Sequence, residues 1–453
     1  MKKLFFIICI LLIPIFCAAT TTVNICFFGQ SNAGQMKCVY ESLTDGCGST
    51  VANSGVIMWS GSAWITTGPT SGPNGSEGLT AMGNAINNTT GWNVRFIDLA
   101  FGSSSIFQST TAGLGYWWND TIDTPSTYYI TQKSIFTASG LTSCDAIVIA
   151  NGECEGYRIY NSSCPSNLCT SGQPASPNVW NQSWYITHSN AFWNQLRSDY
   201  GANAIIIQGQ LATSNANGNS NGFDSSWSNV REYNKAAIAA FGGASSHAYI
   251  GDTTVNFALS LNLQGLGMHW LDTSYAAAGK MLAQTFLYDK GYVSWYKGPI
   301  ITGLNAVDST HTDILVQHSG GTDFTPATGI GGFAETCGGS ALTISAAVRQ
   351  TATSIRLTHG ACSSTRIATY MYGVAPLTYG TGNFGTPVTD NSTLSYPLEP
   401  NINITQIAGT TYTISGTISG AVQSGVTITL TGAASASTTT ASDGTYNYGI
   451  IGR

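Results

Sequence analysis

Between residues 20 and 292, short apolar runs alternate with stretches in which apolar side chains recur every three or four positions. The runs at 23–28, 94–100, 145–150, 204–208 and 247–251 predict strands. The periodic stretches at 79–87, 188–200, 226–241 and 274–287 predict helices. Phe192 and Leu196 share one face of the second, and Met281, Leu282 and Phe286 form the apolar side of the last. Strands separated by helices predict a parallel sheet covered on both faces. After residue 292 the helical period stops. Residues 313–317, 342–348, 354–358 and 367–372 alternate apolar with polar, between clusters of Gly and Pro. They predict a small β-sandwich over 298–400, with Pro397 and Pro400 marking a linker. Residues 405–453 alternate again, and Asp443-Gly444 predicts a hairpin turn before Thr445-Tyr446. That stretch is too short for a sandwich and reads as a partial β-module.

The first 19 residues carry a different pattern. Lys2 and Lys3 precede an apolar run interrupted by Pro14, and Cys17-Ala18-Ala19 supplies small residues at a cleavage position. This predicts a signal peptide over 1–19, a secreted protein, and no membrane span in the mature chain. The α/β unit then covers 20–294. Composition agrees: only 8% of the 453 residues are charged, with Gly, Ser, Thr and Asn in their place. The net charge is −6 with no basic stripe, which argues against nucleic acid as a partner.

An oxidising compartment permits disulfides among the cysteines that follow the leader. Cys38 with Cys47, Cys164 with Cys169, and Cys337 with Cys362 are local candidates, and Cys26 in the first strand reads as a buried free thiol. No C-x-x-C spacing occurs, and His359 with Cys362 is too small a ligand set for zinc, so neither a metal nor a cofactor is expected.

Candidate chemistry centres on Gly29-Gln30-Ser31-Asn32, where the first strand stops at a glycine and polar residues follow at once. In open α/β sheets ligands bind at the carboxyl ends of strands. Acyl transfer from a serine needs a base, an acid to orient it, and donors for the oxyanion. In a parallel sheet those groups come from different strand ends. The polar residues so placed are Ser31, Gly102, Asn151 with Glu153, and His269 ahead of the closing helix.

These blocks resemble the SGNH hydrolases, in the sialate O-acetylesterase and acetylxylan esterase branch. Gly29-Gln30-Ser31-Asn32 is similar to the family's first block, and Phe101-Gly102-Ser103-Ser104-Ser105-Ile106 to its second. Asn151-Gly152-Glu153-Cys154-Glu155 is similar to the third. His269 followed by Gly279-Lys280-Met281-Leu282-Ala283 resembles the last, and Val230-Arg231-Glu232 the penultimate helix. The resemblance spans about residues 23–287. It implies a flavodoxin-like sheet and an acetylesterase acting on carbohydrate. Ser31 would be the nucleophile and His269 the general base. The oxyanion hole would combine the amides of Ser31 and Gly102 with the Asn151 side chain.

The chain departs from the family in two places. Asn151 stands where a glutamine is usual. Leu266 stands where many relatives carry the orienting aspartate. Some relatives use the third-block glutamate instead, so the resemblance implies Glu153 as the acid, with Glu155, Asp252 and Asp272 as fallbacks and a Ser–His dyad aligned by a backbone carbonyl as a further alternative. The missing aspartate also fits an alternative, a degenerate hydrolase fold that binds glycan without turnover. Of the other histidines, His188 and His247 read as caps, and His311, His318 and His359 fall in the β-rich region. Trp117 and Trp118 read either as a sugar platform or as loop packing. The final stretch resembles the start of prealbumin-like or carboxypeptidase-regulatory-like repeats.

Overall fold

The computed structural model describes residues 20–29, 50–67, 77–101, 104–107, 115–152, 155, 181–211, 224–251, 272–372, 378–379, 383–384, 386–407, 411–430 and 436–451. In the first part, strand β1 (Thr22–Gly29) is followed by β2 (Val56–Trp59) and β3 (Trp64–Thr66), helix α1 (Glu77–Thr90) and β4 (Asn93–Asp98). A small three-stranded sheet comes next: β5 (Ser105–Phe107), β6 (Tyr116–Asn119) and β7 (Thr124–Pro125). Then come α2 (Thr127–Ala138), β8 (Ala146–Ala150), α3 (Gln182–Tyr200), β9 (Ile205–Gln208), α4 (Asp224–Ala240), β10 (Ala248–Ile250) and α5 (Asp272–Asp289).

The main sheet has the order β10-β9-β8-β1-β4-β2-β3. Its pairs are parallel except for the β2–β3 hairpin, so the sheet is mixed at one edge. Alternation along β1 explains the two-sided core. Val23, Ile25 and Phe27 enter one apolar cluster, while Cys26 and Phe28 enter the other. The first cluster is covered by α1 and α5, the second by α2, α3 and α4. Gly279 explains the tight α1–α5 contact: a Cβ there would lie 2.1 Å from the carbonyl oxygen of Gly78. The glycine of the last sequence block is thus a packing residue.

Several elements differ from the expectation. Helix α3 begins at Gln182 rather than 188, because Asn181 caps it by accepting the N–H of Trp184 at 2.9 Å. Helix α2 has no clear apolar stripe, since its buried residues are Tyr129, Gln132 and Phe136, one of them polar; Ser126 starts it by accepting the N–H of Tyr129. Cys26 is not a free thiol. It is bonded to Cys144, just ahead of β8, because the parallel pairing of β1 with β8 brings residues 118 apart in sequence to a Cα separation of 6.0 Å. The local pair Cys337–Cys362 is formed. The pairs 38–47 and 164–169 lie outside the described residues.

The second part is a β-sandwich. One sheet contains β11 (Ile300–Ala306), β12 (His311–Gln317), β16 (Ile344–Thr351) and β17 (Ser354–His359). The other contains β14 (Phe333–Cys337), β15 (Ser340–Leu342), β18 (Arg366–Tyr370) and β22 (Asn401–Thr405), while β13 (Phe324–Thr325) pairs with β21 (Thr389–Asp390) and β19 (Thr378–Tyr379) with β20 (Asn383–Phe384). Leu304, Ile314, Ile355, Leu357, Ala368 and Ile404 belong to its core. Pro397 and Pro400 do not form a linker. Leu398 is buried in that core, Glu399 donates its N–H to Pro299, and the next strand pairs with β18. Tyr396 joins the two parts, being buried among the α1–α5 side of the first and donating its hydroxyl to Met281 at 3.3 Å. In the last stretch Asp443-Gly444 does form a turn. However, the strand that follows, Thr445–Ile451, pairs with Thr411–Thr417 rather than with its sequence neighbour.

Candidate active site

The chain adds strands to one side of β1 (β4, with β2 beyond it) and then crosses to place β8 on the other side. The direction of winding therefore reverses between β1 and β8. The crevice outside the carboxyl ends of such a pair is where doubly wound sheets bind ligands. The ends are in register, Gly29 opposite Ala150. Gly29 has a φ of 135° and Gly152 a φ of 138°, conformations that favour glycine, so the backbone turns away from the sheet at both points. The end of β4 is drawn to the same place: the Phe101 N–H donates to Gly29 O at 2.9 Å, and the Ser104 hydroxyl to the same oxygen at 3.3 Å.

Asn151 follows β8 directly and is 2% exposed. Its Oδ1 accepts the N–H of Gly152 at 3.0 Å, which fixes the amide plane. Its Nδ2 is buried and meets no acceptor among the described residues. A buried amide donor without an acceptor is costly, on the order of 1–3 kcal/mol; Asn234 Nδ2 in α4 shares that state, and Asn151 is set apart by its place at the carboxyl end of β8. An oxyanion that forms only during reaction is the kind of partner such a donor suits.

Of the other expected site residues, Ser31, Gly102, Glu153 and His269 lie outside the described residues, as do Asp252 and the side chain of Asp272. Glu155, one fallback acid, is fully buried, and its Oε1 accepts the N–H of Ile106 at 2.6 Å. It thereby anchors β5 beside the loop after β8.

Trp117 and Trp118 are 1% and 2% exposed, so they pack the core and form no sugar platform. The Trp117 Nε1 donates to the Ser104 hydroxyl at 3.0 Å. His188 is not a cap. Its Nδ1 lies 2.7 Å from Asp123 Oδ1, which also accepts from Trp118 Nε1 at 2.9 Å. Burial alone would raise the Asp123 pKa, but these bonds from Trp118 and His188 hold it below the ordinary value. Asp123 adopts a φ of 48°, and the pair fastens the β6–β7 turn to α3. Nothing in the sequence links positions 123 and 188; only the fold brings them together. His247 does cap a short 3-10 helix, with its ring paired to Asp289.

A cavity of about 290 Å³ opens beside β10 and the carboxyl half of α4, lined by Lys235, Tyr296, Lys297 and Glu399 among others. Lys235 there meets Glu232 at 2.9 Å, Glu399 at 2.8 Å and the Pro400 carbonyl at 2.8 Å. Burial lowers its pKa, but the two carboxylates prevail and raise it, so the ammonium serves as a clamp between the two parts. Among the described residues, no group of His, Cys, Asp and Glu could hold a metal ion.

The fold is an α/β unit with a polar edge at β1 and β8, followed by a β-rich region. No protein-family model matches the chain, and no curated protein matches it. Solved structures do. A carbohydrate acetylesterase from Xanthomonas citri aligns over 84% of this chain and 80% of its own, with 13% identity and a TM-score of 0.56. That likeness shows a shared fold. An acetyl xylan esterase from Geobacillus stearothermophilus aligns over 60% of this chain and 96% of its own, with 10% identity and a TM-score of 0.33. A protein from Arabidopsis thaliana aligns over 60% and 99%, with 16% identity and a TM-score of 0.37.

Proposed function

We propose that this chain is a secreted serine esterase that removes acetyl groups from acetylated carbohydrate. The observation that carries the proposal is Asn151: a buried amide donor without an acceptor among the described residues, at the sheet's reversal point and beside the strand end that leads into Ser31. The likeness in fold to a carbohydrate acetylesterase and the four blocks in family order support it. In this scheme residues 1–19 are a leader, 20–294 carry the site, and the regions 298–400 and 405–453 are accessory β-units.

Ser31 Oγ attacks the acetyl carbonyl carbon while His269 takes its proton. The oxyanion is held by Asn151 Nδ2 and the amides of Ser31 and Gly102. Collapse expels the sugar oxygen, which receives the proton from His269. Water, deprotonated by His269, then attacks the acetyl-serine carbonyl, and as acetic acid leaves His269 returns the proton to Ser31 Oγ, restoring the free serine. Glu153 orients the imidazole. The test is hydrolysis of p-nitrophenyl acetate by the wild type and by Ser31→Ala. A loss of about 10⁴-fold or more is expected; equal background rates would leave a glycan-binding protein without turnover, the alternative that Leu266 favours.

A further inference from the structure

We propose that Phe101 is the surface on which the sugar ring of the substrate stacks. The proposal rests on the esterase reading above and deepens it, naming a pyranose ester as the substrate class.

Phe101 is 45% exposed. Among the described residues only one other aromatic, Tyr292, is comparably exposed, and it follows α5, which ends beyond the opposite edge of the sheet. Among the described residues, Phe101 is therefore the exposed aromatic at the carboxyl edge. An apolar ring that remains in water forgoes the stabilisation of burial, which a large side chain ordinarily gains. Here the backbone holds it in place. Its N–H is bonded to Gly29 O at 2.9 Å, and its carbonyl accepts the Ser104 hydroxyl at 2.8 Å. The Gly29 carbonyl it binds belongs to the residue opposite Ala150, next to Asn151.

The ring is also braced. Tyr128 meets it edge to face with centroids 4.7 Å apart, Trp117 backs Tyr128 at 5.0 Å, and Phe28 of β1 backs Trp117 at 5.5 Å. This aromatic relay runs from the sheet core to the rim, so the exposed ring loses little freedom when a ligand covers it. The electron-rich face of an aromatic ring attracts polarised C–H groups. One face of a pyranose presents such groups in a plane, while its oxygens project around the rim. A long acyl chain would need a continuous apolar trough, and among the described residues Phe101 is a single ring flanked by Ala100 and the half-buried Tyr128.

The test compares glucose pentaacetate with triacetin, an acetate ester without a ring. For Phe101→Ala the KM for glucose pentaacetate should rise about tenfold, with kcat nearly unchanged and triacetin kinetics unaffected; Phe101→Trp should retain the wild-type KM. An equal change for both esters, or no change for either, overturns the proposal. Saturation-transfer NMR separates it from the esterase reading. Glucose pentaacetate ring protons should receive transfer from Ser31→Ala and lose it in Ser31→Ala/Phe101→Ala, whether or not the wild type turns over. Transfer that is the same in both variants also overturns the proposal.

Discussion

The two parts of the molecule each bury polar side chains, and they engage them to different degrees. Inside the β-sandwich, Thr312, Glu335, His359 and Arg366 come together from both sheets, each 5% exposed or less. The Thr312 hydroxyl lies 2.6 Å from Glu335 Oε1, 3.1 Å from His359 Nε2 and 2.9 Å from an Arg366 nitrogen. Arg366 also donates to the carbonyls of His311, Asp308 and Cys362. A hydroxyl, an imidazole and a carboxylate are thus within reach of one another, yet the hydroxyl donates straight to the carboxylate and no substrate reaches it. At the edge of the α/β sheet, Asn151 has one atom engaged and its donor without an acceptor among the described residues. The contrast is one of degree and place: the inter-sheet cluster engages most of its atoms within itself and leaves Arg366 Nε and Glu335 Oε2 without a hydrogen bond among the described residues, whereas at the sheet edge the whole donor group of Asn151 is unengaged at the end of a strand.

This contrast can be broken in three ways. The largest effect is expected at the sheet edge, where Ser31→Ala should abolish ester hydrolysis with little change in melting temperature. Next is the sandwich. Arg366→Met removes a charge that shares Thr312 with Glu335 and should cost roughly 3 kcal/mol of stability, measured by urea unfolding, while kcat of the remaining folded enzyme stays at its wild-type value. A fall in kcat without loss of stability would place chemistry in the sandwich.

The smallest concerns acid. Asp199 accepts from Tyr129 and Gln195 at 2.9 Å each and pairs with Lys133 at 2.5 Å. Burial opposes its ionisation, but the bonds from Lys133, Gln195 and Tyr129 together lower its pKa. A carboxyl lowered in the folded state contributes stability that is present above the unfolded value of about 3.9 and lost as pH falls through the folded value. Stability should therefore decline below about pH 4, and Asp199→Asn should flatten that part of the curve. An unchanged acid limb in the variant would remove Asp199 from the account.

Much of the scaffold was legible because alternation and helical period are local. The split of β1 between two cores follows from Val23, Ile25 and Phe27 against Cys26 and Phe28. What escaped is long-range. Cys144 is a partner for Cys26 only once β8 lies beside β1, and Asp123 finds His188 only through α3. Two prolines suggested a linker where the fold continues a strand ladder. Exposure is a property of the folded surface, so neither the burial of Trp117 and Trp118 nor the exposure of Phe101 could be read from the sequence. Asn151 was legible as a polar residue at a strand end. That its donor is buried and unengaged was not.

The central claim is that this donor serves the oxyanion, and Asn151→Ala measures it most directly through kcat on p-nitrophenyl acetate alongside urea unfolding. The account predicts a fall in kcat of about 100- to 1,000-fold. Stability should change by only about 1 kcal/mol, because the Gly152 bond is lost while an unmet donor is relieved. A kcat within about threefold of the wild type, far less than loss of an oxyanion donor brings, would contradict it.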